Sequence, residues 1–133
     1  MTTHNDIEVV LQSTLQIRYE DAHLEINLAE KIAFLDSRRL VLTRKEYELL
    51  VLLVQNSGEV LPREVLLMRV WEYSSAIRTR TLDVHIRRLR KHLGSYSGHY
   101  IETIFGVGYR FQPFRESRRF QSGAPFSEIA LSA

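Results

Sequence analysis

The amino-acid sequence predicts an α+β fold: a small N-terminal antiparallel sheet, three helices and a C-terminal β-hairpin. Three observations carry that prediction. Before residue 42, short apolar segments alternate with polar positions, the period of strands with one buried face. From Thr43 to Leu93, apolar residues recur every three to four positions, the period of helices buried on one side. Beyond Gly98, an extended stretch doubles back at Gly106-Val107-Gly108, where glycine permits a tight hairpin turn.

The elements follow in order. Residues 7–11, 15–19, 24–28, 32–34 and 40–42 read as strands, with Leu24-Glu25-Ile26-Asn27-Leu28 alternating strictly and Asp36-Ser37 as a turn. Thr43-Arg44-Lys45-Glu46 has the spacing of a capping box, in which the threonine hydroxyl and the glutamate side chain satisfy each other's amides. A helix over residues 43–56 follows, carrying Tyr47, Leu50, Val51 and Val54 at helical spacing and stopping before Gly58. A short strand over residues 59–61 leads to Pro62, which suits the opening of a second helix. In that helix Val65, Leu66, Met68, Val70 and Trp71 supply the apolar surface.

The stretch from Glu72 to Ile77 lacks periodicity and reads as a loop. A third helix over residues 79–93 places Leu82, Ile86, Leu89 and Leu93 on one buried stripe and ends at Gly94. Ser95-Tyr96-Ser97-Gly98 reads as a turn, residues 100–105 as a strand and residues 109–111 as its returning partner. Two helices joined by a loop and followed by a two-stranded ribbon describe a winged helix-turn-helix. The domain is expected over residues 22–112, with residues 1–21 an extension or extra strand. Residues 113–133 are expected to be a flexible tail, since no periodicity survives there.

Composition narrows the function. The 133 residues fit one domain, and 44% hydrophobic with 26% charged residues is a globular balance. There is no cysteine, hence no disulfide framework or thiolate metal site. No apolar run approaches membrane-spanning length and the N-terminus has no signal-peptide pattern; the expected location is the cytoplasm. The net charge is only +2, yet it is unevenly placed. Residues 1–42 hold four Lys/Arg against seven Asp/Glu, and residues 43–133 hold fourteen against nine. Arg78, Arg80, Arg87, Arg88, Arg90 and Lys91 crowd the third helix and its approach, with Asp83 the one acid among them. Such a stripe suits a polyanion or, equally, a solvated helix face.

Helical geometry, at about 100° per residue, separates the two faces. With Leu82 at the centre of the buried face, Arg80, Thr81, Val84, Arg87, Arg88 and Lys91 point outward. His85 and His92 flank them, while Arg90 and Asp83 lie nearer the core boundary. The outward face is cationic or small, so nothing on it obstructs entry into a major groove. There arginine matches the two acceptors of guanine and a small apolar residue such as Val84 can meet the thymine methyl. The other cations suit phosphates, which fix register without reading sequence.

Catalysis is not expected. The histidines are His4, His23, His85, His92 and His99, and none sits in a metalloprotease or Cys/His array. His85 and His92, seven residues apart, make two ligands at most, too few for a metal site. Gly106-x-Gly108 is too short for a phosphate loop and precedes a strand rather than a helix. No cofactor is implied.

The run from Thr79 through Thr81-Leu82-Asp83-Val84-His85-Ile86-Arg87-Arg88-Leu89-Arg90 to Leu93 closely resembles the recognition helix of OmpR/PhoB-type response-regulator effector domains. Leu42-Thr43-x-x-Glu46-x-x-Leu49-Leu50 resembles the start of that family's first helix, and Gly106-Val107-Gly108-Tyr109-Arg110-Phe111 resembles its wing. The resemblance implies a transcriptional regulator that binds double-stranded DNA. It places Arg88 at the main base-reading position, with Arg80, Thr81, His85, Arg87 and Arg90 at positions that hold phosphates or neighbouring bases. It sets Trp71 against the DNA backbone, and Thr103 and Tyr109 on wing strands that approach phosphate. It also implies that the loop from Glu72 to Arg78 contacts RNA polymerase and that two copies bind DNA as a tandem homodimer.

Two departures qualify the resemblance. Many members carry an arginine just before the wing glycines, where Phe105 stands here; the expectation is a weaker wing contact or a Phe105 packed under the wing. The family also usually has an N-terminal phospho-acceptor receiver domain, for which this chain has no room. The expectation is therefore an effector domain of a two-component regulator or a stand-alone version without a receiver. The alternative is a winged helix reused as a protein-interaction module. Such a module would be expected to lose the outward basic face, which is intact here. RNA binding is disfavoured, since no paired aromatic platform is visible on adjacent strands.

Overall fold

The computed structural model describes residues 17–72 and 79–115. The strand expected over residues 7–11, most of the 72–78 loop and residues 116–133 lie outside the described residues. The architecture is the one expected from sequence: a four-stranded antiparallel sheet, three helices and a C-terminal hairpin.

The N-terminal sheet runs in chain order through β1 (Arg18–Glu20), β2 (Leu24–Asn27), β3 (Ile32–Leu35) and β4 (Arg38–Leu40). Alternation on β2 buries Leu24 and Ile26 fully and leaves Glu25 and Asn27 at the edge of solvent. The fourth strand begins two residues earlier than expected. Asp36 and Ser37 both adopt positive φ, 49° and 67°, so a two-residue turn pairs Leu35 directly with Arg38. Pairing ends at Leu40, and Val41, expected within a strand, is exposed.

Helix α1 (Arg44–Gln55) starts at the expected capping box. The Glu46 amide donates to Thr43 Oγ1 at 3.2 Å and the Thr43 amide donates to Glu46 Oε1 at 3.0 Å. Glu46 is buried by this arrangement. Strand β5 (Val60–Pro62) leads into α2 (Arg63–Trp71). Pro62 is the residue preceding the first helical turn rather than its first member, and it also closes the strand. The buried stripe of α2 is Leu66, Leu67 and Val70. Met68, expected to face the core, points to solvent instead, because a stripe centred on residues 66, 67 and 70 puts residue 68 on the opposite side.

Helix α3 (Thr79–Leu93) buries Leu82, Ile86, Leu89 and Leu93 completely, as its period requires. The expected turn after it is instead a 3₁₀ turn (Gly94–Tyr96) followed by the single-turn helix α4 (Ser97–Tyr100). The cause is Tyr100. Its ring is fully buried and stacked on Phe111, at 5.3 Å between centroids and 14° between planes. Consequently the next strand, β6 (Ile101–Ile104), starts one residue late. It pairs with β7 (Gly108–Phe111), which also pairs with β5, so the wing is a three-stranded sheet.

Asp21 joins the two ends of the domain. Its carboxylate accepts from the hydroxyls of Tyr100 and Tyr19, each at 2.6 Å. It also accepts from the amides of Leu24, His23 and Phe114. Phe114, assigned by composition to the tail, packs on the core with its ring against Tyr96, Tyr100 and His99. Burial opposes the Asp21 charge, but the Tyr100 and Tyr19 hydroxyls and the Leu24 and His23 amides outweigh it and hold the carboxyl below its usual range. The sign follows: a lowered folded-state pKa contributes stability that is complete above the unfolded value of about 3.9 and is lost as pH falls further. Thermal melts should therefore drop steeply below about pH 4, and Asp21→Asn should flatten that fall while lowering the neutral-pH melt. A variant with an unchanged acid limb would show that Asp21 is not the linked group.

Candidate nucleic-acid interface

The outward face of α3 assembles as helical geometry requires. Arg80, Arg87, Arg88 and Lys91 are exposed, and Thr81 and Val84 lie between them, half-buried. Arg87, Arg88, Arg90 and Lys91 line one shallow depression. Its ceiling is open, as a site for an extended polyanion needs.

The single acid of this stretch is neutralised. Arg63, at the start of α2, donates from Nη1 to Asp83 Oδ1 at 2.7 Å and from Nη2 to Oδ2 at 2.9 Å. The Tyr109 hydroxyl donates to the same Oδ1 at 2.8 Å. The Arg63 guanidinium keeps the Asp83 carboxyl below its usual range, against a smaller opposing effect of burial. Arg63 was not identified from sequence, although a lone acid beside a cationic face signals that some cation must answer it. The clamp does two things. It removes a negative charge from the approach of a polyanion, and it locks the first turn of α3 to α2 and to β7.

Three residues expected at the interface also form a joint within the fold. Arg90 is half-buried, and its Nη2 donates to the Ile101 carbonyl and to Thr103 Oγ1, each at 2.8 Å. Its guanidinium also lies 5.7 Å from the centre of the Tyr109 ring. Tyr109 is buried, with its hydroxyl turned to Asp83. Arg90, Thr103 and Tyr109 thus hold the wing to α3. Arg90 Nη2, the Thr103 hydroxyl and the Tyr109 hydroxyl have partners within the fold, because the core boundary places these residues at the junction of helix and sheet.

His85 and Trp71 form one edge of the face. The His85 ring meets Trp71 edge-on at 4.9 Å, and its Nδ1–H donates to the Thr81 carbonyl at 2.8 Å. These two contacts fix the ring. His92 instead turns to Glu46, 3.4 Å from Oε1, so the two histidines do not converge. Among the described residues no group of three metal-ligating side chains exists. Nor is any helix there long and apolar enough to cross a membrane.

At the wing tip, Phe105 is 90% exposed. The expectation that it packs under the wing is thereby overturned: the Ile104–Val107 turn, closed by the Val107 amide donating to the Ile104 carbonyl at 2.9 Å, projects residue 105 away from both strands. The RNA-polymerase surface expected from residue 72 to 78 falls, beyond Glu72, outside the described residues.

The profile of the family described as "Transcriptional regulatory protein, C terminal" matches residues 37–111. The transcriptional regulatory protein SrrA of Staphylococcus aureus is 42% identical over 96 residues, covering 70% of this chain and 40% of SrrA. The chain thus spans well under half the length of such relatives. Response regulator DrrB of Thermotoga maritima, an OmpR/PhoB homologue, superposes with a TM-score of 0.68 at 32% identity, over 84% of this chain and 55% of that one. The RstA DNA-binding domain of Klebsiella pneumoniae, solved in complex with the RstA box, gives 0.66 at 25% identity, over 73% of this chain and 98% of its own.

Proposed function

Because this chain belongs to the family of transcriptional regulatory protein C-terminal domains, of OmpR/PhoB type, we propose that it binds double-stranded DNA sequence-specifically and regulates transcription. Helix α3 enters the major groove, with Arg88 reading a guanine and Val84 meeting a neighbouring base. Arg80, Thr81, Arg87, Lys91, His85 and Trp71 hold the flanking backbone. Arg90, Thr103 and Tyr109 act one step back, by fixing the wing against α3. The observation that carries this reading is the outward face of α3: exposed arginines and a lysine whose one acidic neighbour is clamped by Arg63.

The chain acts as the output domain of a two-component response regulator in the cytoplasm; a stand-alone regulator would use the same face. Two copies sit on repeated half-sites, and the 72–78 loop is the surface offered to RNA polymerase. The RstA domain bound to its box supports DNA as the partner over a protein-docking role. Selection from random-sequence duplexes tests the proposal. A repeated, enriched motif is the expected result; a pool that stays random would instead favour the protein-docking reading.

A further inference from the structure

The wing tip carries an aromatic ring that the fold does not use. Phe105 is 90% exposed and Val107, beside it, 45%. The turn that presents them is anchored to the start of α2. Gly106 takes a φ of 78°, and the Val107 carbonyl accepts from the Arg63 amide at 3.0 Å. Below the tip, Gly108 lies against the backbone of Leu61 and Pro62, so the hairpin cannot settle inward. A Cβ built on Gly106 meets no atom within 4 Å, which leaves the tip open on that side.

The tip is tied to one particular end of α3. Arg63 bonds Val107 through its amide and Asp83 through its guanidinium, and Asp83 stands in the first turns of α3, beside Arg80, Thr81 and Val84. We infer that, when this end of α3 lies in a major groove, the tip reaches the minor groove beyond the adjoining backbone, and Phe105 acts there as an apolar wedge, entering beside a base step and partly unstacking it. The inference rests on the function proposed above. An uncharged ring gains little from the groove's negative potential, but apolar side chains do part base steps there. The cations of α3 favour a duplex at this end over a second copy of the same cationic surface. Flexible pyrimidine–purine steps part most easily, so Phe105 makes the wing a reader of step deformability rather than of base edges.

The test uses the described chain and a duplex holding one copy of the selected motif, with 2-aminopurine at the step facing the wing. Wild-type binding should raise the 2-aminopurine emission. Phe105→Ala should abolish the rise and weaken binding about tenfold, the scale of one lost base–aromatic contact, with the salt slope unchanged because no phosphate contact is lost. Phe105→Trp should keep the rise. Replacing the flexible step by a stiff A-tract should weaken wild type and leave Phe105→Ala unaffected. Phe105→Ala should melt as wild type does, since the side chain has no core contact. Equal single-site binding by wild type and Phe105→Ala would overturn the wedge. So would a loss seen only on two-site duplexes, which would make Phe105 a contact between copies. A wild-type chain that enriches no motif would instead defeat the proposed function itself.

Discussion

Gly108→Ala is expected to destabilise the domain by about 3 kcal/mol or more, at the upper end of what overpacking costs. A Cβ at this position would stand 1.9 Å from the Leu61 carbonyl oxygen, 2.9 Å from its carbon and 3.0 Å from Pro62 Cα. All three are backbone atoms, so no side chain can turn aside. Relief requires β5 to separate from β7, and β5 is the strand that feeds α2. The damage would reach the Arg63 clamp and the angle between α2 and α3. Gly106→Ala is the control: it meets no neighbour and suffers only its positive φ, at roughly 1–2 kcal/mol. Chemical denaturation of the two variants measures the difference. Equal stabilities would show that β5 and β7 are not as close as described.

Arg88→Ala is expected to weaken binding to the selected duplex by about 1–3 kcal/mol and to relax preference at one base position. Arg87→Ala should weaken specific and random duplexes alike and lower the salt slope by about one. The two side chains are adjacent, both exposed, and on the same face of α3. The proposed division of roles rests on the family resemblance, which puts Arg88 at the base-reading position, where an arginine can match guanine's paired acceptors, and Arg87 at a position that holds phosphate. Fluorescence anisotropy with matched, single-substituted and scrambled duplexes separates these outcomes. Uniform weakening by Arg88→Ala would reassign it to phosphate; a changed base preference in Arg87→Ala would reassign that residue to base reading.

The sequence was legible wherever a local rule acts alone. The Leu82, Ile86, Leu89 and Leu93 stripe fixes which way α3 faces, and Thr43 with Glu46 fixes where α1 begins. The outward cations follow from the same rotation. What local rules missed depended on partners distant in the chain. The resemblance places Arg90 and Tyr109 at the interface, but nothing in their own segments shows that they also bond Ile101, Thr103 and Asp83, which come from other elements. Arg63 stands 20 positions from Asp83. Phe114 looked like tail because its neighbours lack periodicity, while its ring is held by Tyr96, Tyr100 and His99. The helical turn at 97–100 answers to the buried Tyr100 ring, a demand of the core rather than of Ser97-Gly98.

The most direct test of the central claim is a competition titration of the selected duplex against a scrambled one at two salt concentrations. The account predicts a preference of roughly a thousandfold or more for the selected duplex, with affinity for both falling as salt rises. Equal affinities for the two duplexes would contradict sequence reading by the α3 face.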